Sequence, residues 1–302
     1  MLRALLKSFL FMALVACNSR SPEHSGLEEN TLLFSKDNLV AWCIVPYDKE
    51  NRTPQQRAAM LNDLEIRALA WDWRAEHLPV FEEEIQILKD NDIELAAVWF
   101  WITGMEGEKL DEASEKILQT LEKTNTQTVL WVSFPGNFFE GMTDEDKILK
   151  GANTLKSIHE RANKIGCKIA LYNHGDWFGE PENQVKIIET SGLDDVGLVY
   201  NFHHAHYQIK DFDKILEIAL PYLWTVNLNG LRAEGPKILT IGEGNLEQEM
   251  MKKLKESGFA GTIGILGHTE NEDVKKVLQR NLEGLKKVLE EMGEEVALQT
   301  YE

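Results

Sequence analysis

Short apolar runs alternate with polar, helix-forming segments along most of the chain. Eight runs of five to nine residues are almost continuously apolar, and they occupy positions 39–45, 66–73, 93–101, 128–134, 168–173, 196–200, 223–228 and 262–266. Continuous apolar runs of this length are typical of strands buried on both faces, as in a parallel sheet covered by helices. The pattern therefore predicts eight buried parallel strands.

A helical segment follows each run. Thr53 and Gln56 have the spacing of a capping box before the first helix, and apolar residues recur with a helical period over 274–289 in the last one. Eight β/α units in about 260 residues predict a single-domain (β/α)8 TIM barrel of the α/β class. A doubly wound open sheet is the alternative, but no Gly-rich phosphate loop follows the first run.

The first residues have the composition of an export signal. Residues 1–16 contain a basic start and a short apolar stretch, and they end in Leu-Val-Ala before Cys17. This junction resembles the bacterial lipoprotein signal, which implies cleavage before Cys17 and lipid on its thiol. A plain secretory signal is the alternative. We expect a membrane-anchored, extracytoplasmic protein, in the periplasm or at the outer membrane, with a flexible linker over 17–36, a barrel over 37–294 and a C-terminal tail over 295–302.

Charge and cysteine content exclude several functions. The chain has 50 acidic and 32 basic side chains and a formal charge of -18. Such a balance argues against a nucleic-acid partner, which requires a basic surface. Three cysteines are too few for a disulfide scaffold or a Cys-rich zinc module. Cys43 and Cys167 lie in apolar runs and are predicted to be buried free thiols.

Histidine and tryptophan are concentrated where the predicted strands end. Six of the eight histidines directly follow strands two, five, six and eight, and they are His77, His174, His203, His204, His206 and His268. In a TIM barrel the active site is built at these strand ends. Several tryptophans occur there too, among them Trp42, Trp99 and Trp101. Together they predict an aromatic-walled pocket suited to the apolar faces of sugar rings.

The second run ends in an unusual group of ionisable residues. Asp72, Arg74, Glu76 and His77 fall within six residues. The group is either a solvated cluster of ion pairs or part of a site that binds a polar substrate. We assign all four residues to substrate binding.

Four short motifs resemble those of the xylose isomerase-like barrels, the sugar (phosphate) isomerase/epimerase superfamily. Residues 172–175 resemble the family's strand-five Glu-Asn-His-Gly, and residues 200–205 resemble its strand-six Tyr-Asp-x-x-His-Ala. Residues 226–229 resemble its strand-seven His-x-x-Asp, and residues 241–245 resemble its Gly-x-Gly loop. The resemblance covers about residues 37–290.

The resemblance implies a divalent metal held by Glu, Asp, His and Glu, which stabilises an enediolate while the carboxylates move protons. The positions that correspond in this sequence are Tyr172, Asn201, Asn227 and either Gly267 or His268. Tyrosine and asparagine are poor ligands for a hard dication. The usual metal site is therefore expected to be missing.

The favoured hypothesis is an isomerase or epimerase that acts on an unphosphorylated sugar or keto-sugar by carbonyl/enediolate proton transfer. The predicted catalytic acid–base residues are His174, His204 and His268. With His203 they are also the candidate ligands of a divalent transition metal. Asn173, Asn201, Asn227 and Asn229 are expected to bind sugar hydroxyls with the residues already named.

Two alternatives stay open. A non-catalytic carbohydrate-binding lipoprotein would explain the loss of every family ligand. A lyase or glycoside-cleaving variant of the barrel is the other, and a hydrolase of this kind would need two facing carboxylates. The segment 133–137 after strand four lacks the Asn-Glu pair of many glycosidase barrels, so the hydrolase is the less favoured of the two.

Overall fold

Eight parallel strands form a closed barrel. The computed structural model describes residues 32–106 and 109–302. Each barrel strand pairs with the next in the chain, and the first also pairs with the last, Leu39 lying opposite Ile263. This confirms the predicted (β/α)8 barrel. The strands are β1 (Leu39–Trp42), β2 (Ala68–Trp71), β3 (Glu94–Trp101), β4 (Val129–Ser133), β5 (Lys168–Tyr172), β6 (Val196–Asn201), β7 (Leu223–Leu228) and β8 (Thr262–Leu266).

Helices follow the strands and cover the outside of the barrel. They are α1 (Pro54–Asp63), α2 (Phe81–Asp90), α3 (Glu112–Lys123), α4 (Asp144–Lys164), α5 (Pro181–Ser191), α6 (Phe212–Ala219), α7 (Glu247–Glu256), α8 (Val274–Met292) and the short α9 (Glu295–Leu298). The predicted capping box at Thr53 and Gln56 begins α1. A two-stranded ribbon, Met105–Glu106 with Lys109–Leu110, follows β3.

The strands divide the apolar residues between two layers. Alternate residues of β1 show the division, since Leu39 and Ala41 pack under the helices whereas Val40 and Trp42 face the barrel interior. This alternation is the ordinary period-two geometry of a strand. Because both layers are apolar, the strands read in sequence as continuous hydrophobic runs.

Three large aromatic side chains fill the upper interior of the barrel. Trp42, Trp131 and Tyr172 meet with ring centroids 4.8 to 5.8 Å apart, and each is at most 2% exposed. Small residues on neighbouring strands, such as Ala70 and Ala97, make room for them. We call these three residues the aromatic plug; it closes the barrel beneath its carboxyl-terminal mouth.

The two ends of the described chain pack together. The hydroxyl of Tyr301 donates to the carbonyl oxygen of Phe34 at 2.8 Å, and Phe34 is 2% exposed. The packed body therefore includes residues of the predicted linker and of the predicted tail. Residues 1–16 and Cys17 lie outside the described residues. No helix within the described residues is long and apolar enough to cross a membrane.

The two cysteines in the described residues, Cys43 and Cys167, are buried free thiols, as predicted.

A buried ion pair joins α1 to α2. The guanidinium of Arg57 donates to both carboxylate oxygens of Glu84, each at 2.9 Å, and the two side chains are 4% and 1% exposed. Removing one partner of such a pair leaves an uncompensated charge inside the protein, which is far more costly than losing an exposed pair.

We expect Glu84→Gln to lower the free energy of unfolding by about 3–5 kcal/mol. The matched control is Glu82→Gln on the same helix, where the pair with Lys123 is 50% and 67% exposed and the change should stay below about 1 kcal/mol. Urea unfolding followed by circular dichroism measures both. Equal effects from the two variants would contradict the stabilising role of the buried pair.

Candidate functional site

A cavity of about 250 Å³ lies at the carboxyl-terminal ends of the strands, above the aromatic plug. Its lining combines aromatic, imidazole and charged side chains from both halves of the barrel. They are Trp42, Cys43, Tyr47, Asp72, Arg74, Trp99, Tyr172, His174, His203, His204, Lys237, Ile238 and His268. This is where TIM barrels carry their active sites.

Aromatic rings form one wall of this cavity and a cation lies across them. The guanidinium of Arg74 lies 5.4 Å from the ring centre of Tyr47 and 5.5 Å from that of Trp99. It also donates a hydrogen bond to the Tyr47 hydroxyl at 2.9 Å. The Trp99 indole nitrogen donates to the hydroxyl of Ser133 at 2.8 Å, which fixes the ring. The wall is therefore held in place by these contacts, and Arg74 covers part of its aromatic surface.

Four histidines lie close together in the lining of the same cavity. The ring centres of His203 and His204 lie 3.8 Å apart, those of His174 and His204 lie 4.5 Å apart, and those of His203 and His268 lie 6.1 Å apart. His268 stacks on Tyr47 at 3.7 Å. The structure thus brings together His174, His204 and His268, the predicted catalytic histidines.

The environment keeps these imidazoles neutral. Burial lowers the pKa of His174, and the positive charges of Lys237 and Arg74 lower it further. Burial is also the main cause of the lowered pKa of His203 and His204, with the neighbouring histidines contributing. The pKa of His268 is lowered by burial too, although Glu270 opposes the shift. A neutral imidazole can donate one hydrogen bond and accept another.

Asp72 is a buried carboxyl group that lines the same cavity as the histidines. It is 2% exposed, its Oδ1 accepts a hydrogen bond from the backbone N–H of Val45 at 3.2 Å, and its Oδ2 has no hydrogen-bond partner within the part of the chain that the structure describes. Burial raises the pKa of Asp72 to about 7, although the Val45 hydrogen bond and Arg74 oppose the shift. A group with this pKa changes protonation state readily near neutral pH.

Comparison with known proteins identifies the family of the barrel. The family model described as xylose isomerase-like TIM barrel matches residues 58–292. The chain belongs to the xylose isomerase-like TIM barrel family. This confirms the resemblance seen in the sequence motifs. A search of curated proteins found no match.

Solved structures share the fold at low sequence identity. A 3-keto-D-glucoside 4-epimerase from E. coli, YcjR, superposes with a TM-score of 0.63 at 14% identity, covering 83% of this chain and 100% of that one. A D-psicose 3-epimerase from Clostridium cellulolyticum H10, solved with D-tagatose, gives 0.58 at 12%, covering 83% and 97%. The IolI protein with a bound zinc atom gives 0.62 at 14%, covering 84% and 98%.

The residues at the metal-ligand positions of the xylose isomerase-like family do not fit a divalent metal. The Tyr172 hydroxyl accepts hydrogen bonds from the Trp42 indole at 3.3 Å and the Asn201 amide at 2.8 Å. Burial raises the pKa of Tyr172 well above its usual value, which keeps the phenol protonated. The side chain of Asn227 is fully buried against Gly264 and has no hydrogen-bond partner among residues 32–106 and 109–302. These neutral groups offer none of the carboxylate oxygens that a hard dication requires.

The histidines do not replace this metal site. In the part of the chain that the structure describes, no three His, Cys, Asp or Glu side chains are arranged to hold a metal ion. Asp72 is the one carboxylate among the described residues that line the cavity. The candidate ligands His174, His203, His204 and His268 form an imidazole wall, and we assign them no metal.

The family's Gly-x-Gly loop is filled from within the chain. The buried carboxylate of Glu247 accepts hydrogen bonds from the backbone N–H groups of Gly242 at 3.1 Å, Gly244 at 2.8 Å and Leu231 at 3.3 Å. Clustered backbone N–H groups of this kind form an anion-binding cradle. Because Glu247 already satisfies them, a substrate phosphate would find no place here.

The predicted asparagines support the cavity rather than line it. Asn173 and Asn201 link β5 to β6, with the Asn201 backbone N–H donating to the Asn173 side chain at 2.7 Å. Asn229 donates to the carbonyl oxygen of Lys237 at 2.9 Å, which holds the loop after β7 over the cavity. These side chains therefore hold in place the segments whose residues line the cavity.

The remaining predicted binding residues divide into two groups. Trp42, Asp72, Arg74 and Trp99 line the cavity, and Trp101 packs edge-on against His174 at 5.2 Å. Glu76 and His77 do not line this cavity. Glu76 is exposed, and the His77 ring accepts a hydrogen bond from the Arg74 backbone N–H at 2.8 Å at the start of a 3-10 helix.

Sequence reasoning missed Cys43, Tyr47, Lys237 and Ile238. Cys43 has a φ of 57° directly after β1, a left-handed conformation that non-glycine residues rarely adopt and that often accompanies functional sites. Tyr47 follows the same strand, so its place was open to prediction. Lys237 lies in a long loop. Its position depends on the antiparallel bridge between Gly230 and Leu239, which closes this loop.

The raised pKa of Asp72 makes stability depend on pH. The carboxyl group ionises near pH 4 when unfolded and near pH 7 when folded. Its stabilisation is therefore fully present below about pH 4 and is lost as the pH rises through about 7. We expect Asp72→Asn to gain about 4 kcal/mol relative to the wild type between pH 4 and pH 8.

Urea unfolding at several pH values measures this difference, with Asp90→Asn at the exposed end of α2 as the matched control. A difference between Asp72→Asn and the wild type that does not change with pH would contradict the raised pKa.

Proposed function

We propose that the protein is a carbohydrate isomerase or epimerase that moves a proton beside a sugar carbonyl without a metal. The observation that carries the proposal is the buried Asp72 carboxyl, which has a pKa of about 7, an Oδ2 without a hydrogen-bond partner among the described residues, and neutral imidazoles in the same cavity. The related folds include enzymes whose names describe epimerisation of ketoses and of a 3-keto-glucoside, which supports a sugar as the ligand.

The cavity supplies the two functions that such a reaction needs. A base must remove the proton from the carbon next to the carbonyl, and Asp72 is matched to that task near neutral pH. The carbonyl oxygen then becomes an enediolate oxygen, which requires hydrogen-bond donors and positive charge. His174 and His204 provide neutral imidazole donors, while Arg74 and Lys237 provide charge in the same cavity. In isomerisation, Asp72 returns the proton to the neighbouring carbon while the hydroxyl proton passes to the former carbonyl oxygen. In epimerisation, a second donor delivers a proton to the opposite face of the same carbon, and the proton that Asp72 took is released to solvent.

An unphosphorylated substrate fits the site best. Glu247 occupies the Gly-x-Gly loop, and the aromatic wall at Trp99 and Tyr47 suits the apolar face of a sugar ring. Glycoside hydrolysis by paired carboxylates is less well supported, because the cavity presents Asp72 alone among the carboxylates of the described residues.

Proton exchange in D2O tests the proposal. A panel of aldoses, ketoses and 3-keto-glucosides is incubated with the protein in the presence of EDTA, and NMR follows deuterium entering the carbon beside the carbonyl. The wild type should catalyse exchange, and Asp72→Asn should lower kcat by at least about 100-fold while sugar binding, measured by calorimetry, remains. Asp90→Asn is the matched control and should keep full activity.

A carbohydrate-binding protein without catalysis is the second candidate. Tyr172, Asn201 and Asn227 at the family's ligand positions favour it, because the usual catalytic metal has no ligands there. Sugar binding by a wild type that neither exchanges protons nor converts any sugar would establish this function and overturn the enzyme proposal.

We also propose that the protein is attached to a bacterial membrane by lipid on Cys17, on the extracytoplasmic side. The support is the basic and then apolar pattern of residues 1–16 directly before this cysteine. The barrel would then meet sugars outside the cytoplasm.

When the full chain is expressed in a bacterial host, it should incorporate labelled palmitate and partition into the detergent phase of Triton X-114. Cys17→Ser should abolish both properties, because the acceptor thiol is lost. Cys167→Ser, which alters a buried thiol, is the control and should retain them. Palmitate labelling that survives Cys17→Ser would contradict the anchor.

A further inference from the structure

A second cavity lies beside the first at the same end of the barrel. It has a volume of about 490 Å³ and is formed by the segments that follow β4 and β5 and by the start of α4. His174 lines both cavities. A ligand that contacts His174 in the first cavity is therefore placed at the edge of the second.

Aromatic rings form the inner wall of the second cavity. The ring centres of Phe139 and the half-buried Trp177 lie 5.4 Å apart, and those of Phe134 and Phe178 lie 4.8 Å apart. The Trp177 ring is also held by the ammonium of Lys147, 5.0 Å from its centre. The wall is thus fixed from two sides, and it resembles the aromatic wall of the first cavity in its chemistry.

Polar groups surround the aromatic wall. Asn137, Glu140 and Asp176 offer amide and carboxylate oxygens, and Lys147 offers one ammonium group. Together these side chains carry a small excess of negative charge, which disfavours phosphates and uronates. Aromatic faces beside uncharged and acidic hydrogen-bonding groups suit the apolar face and the hydroxyls of a neutral sugar.

The volumes of the two cavities also favour a sugar ring as the ligand of the second cavity. Cavities that enclose small ligands usually measure roughly 300–1,000 Å³. At about 250 Å³ the first cavity is slightly smaller than this range, with room for one small ring. The second cavity, at about 490 Å³, has room for another ring beyond His174.

We propose that the second cavity binds a second neutral sugar ring, so that the substrate is a glycoside of at least two sugar units whose reacting ring lies in the first cavity. This assignment rests on the proposed function, because that function places the reacting ring between Asp72 and His174. The second ring would stack on Trp177 and bond to Asn137 and Asp176.

Calorimetry with matched ligands tests the proposal. A panel of neutral disaccharides is compared with methyl glycosides that carry the same ring without the second sugar. In the wild type, at least one disaccharide should bind about tenfold more tightly than its methyl glycoside. Trp177→Ala should remove most of this advantage and leave the affinity for the methyl glycoside within about twofold.

Two further variants complete the test. Asn137→Ala changes an exposed side chain and should weaken disaccharide binding alone even if Trp177→Ala does not fold. Tyr222→Ala alters an aromatic residue before β7, at the opposite end of the barrel, and should change neither affinity. The proposal is overturned if the wild type binds no disaccharide better than its methyl glycoside, or if Trp177→Ala and Asn137→Ala weaken both ligands equally.

The binding of a second sugar ring and the proposed isomerase function can be tested independently. Tighter binding of disaccharides with no proton exchange would overturn the isomerase function and support the second sugar ring. Proton exchange on single sugars with no preference for disaccharides would support the isomerase function and overturn the second ring.

Discussion

Packing of the aromatic plug at the centre of the barrel governs the site above it. Trp42, Trp131 and Tyr172 fill space that small residues on the neighbouring strands leave open. This closes the barrel beneath its mouth and gives the cavity an apolar floor. The floor removes water from the groups directly above it, and burial is the main cause of the lowered pKa of His204 and the raised pKa of Asp72. The packing of the aromatic plug therefore contributes both the shape of the cavity and the shifted pKa values of the groups above it.

The plug also explains how this member of the family differs from the metal-binding pattern. Tyr172 stands at the position of a ligating carboxylate, and its hydroxyl is bound to Trp42 and Asn201. A side chain that holds the barrel together is thus in place of one that would hold a metal. In the proposed function, neutral imidazoles and the cations of Arg74 and Lys237 take over the stabilisation of a negative oxygen, while Asp72 moves the proton.

The fold was largely predictable because each barrel strand is short, continuous and buried on both faces, so its apolar run is visible in the sequence. The histidine wall was predictable for a related reason, since parallel strands bring their carboxyl ends to the same edge. Glu76 and Asp72 show where this reasoning fails. Both follow β2 within five positions, yet a single 3-10 turn exposes Glu76, whereas Asp72 is buried. Such a turn depends on side-chain contacts that spacing does not reveal.

The sequence by itself determined the barrel and the set of histidines at the mouth, because hydrophobic patterning is a local property of the chain, and its four short motifs indicated the family. Tertiary structure alone decided which polar groups are buried and what they face. Asp72 acquires its raised pKa, Glu247 fills the Gly-x-Gly loop and Lys237 reaches the cavity only after distant segments pack together. The burial of a side chain and its distance from other groups depend on many contacts between distant segments, so both are fixed only in the folded molecule.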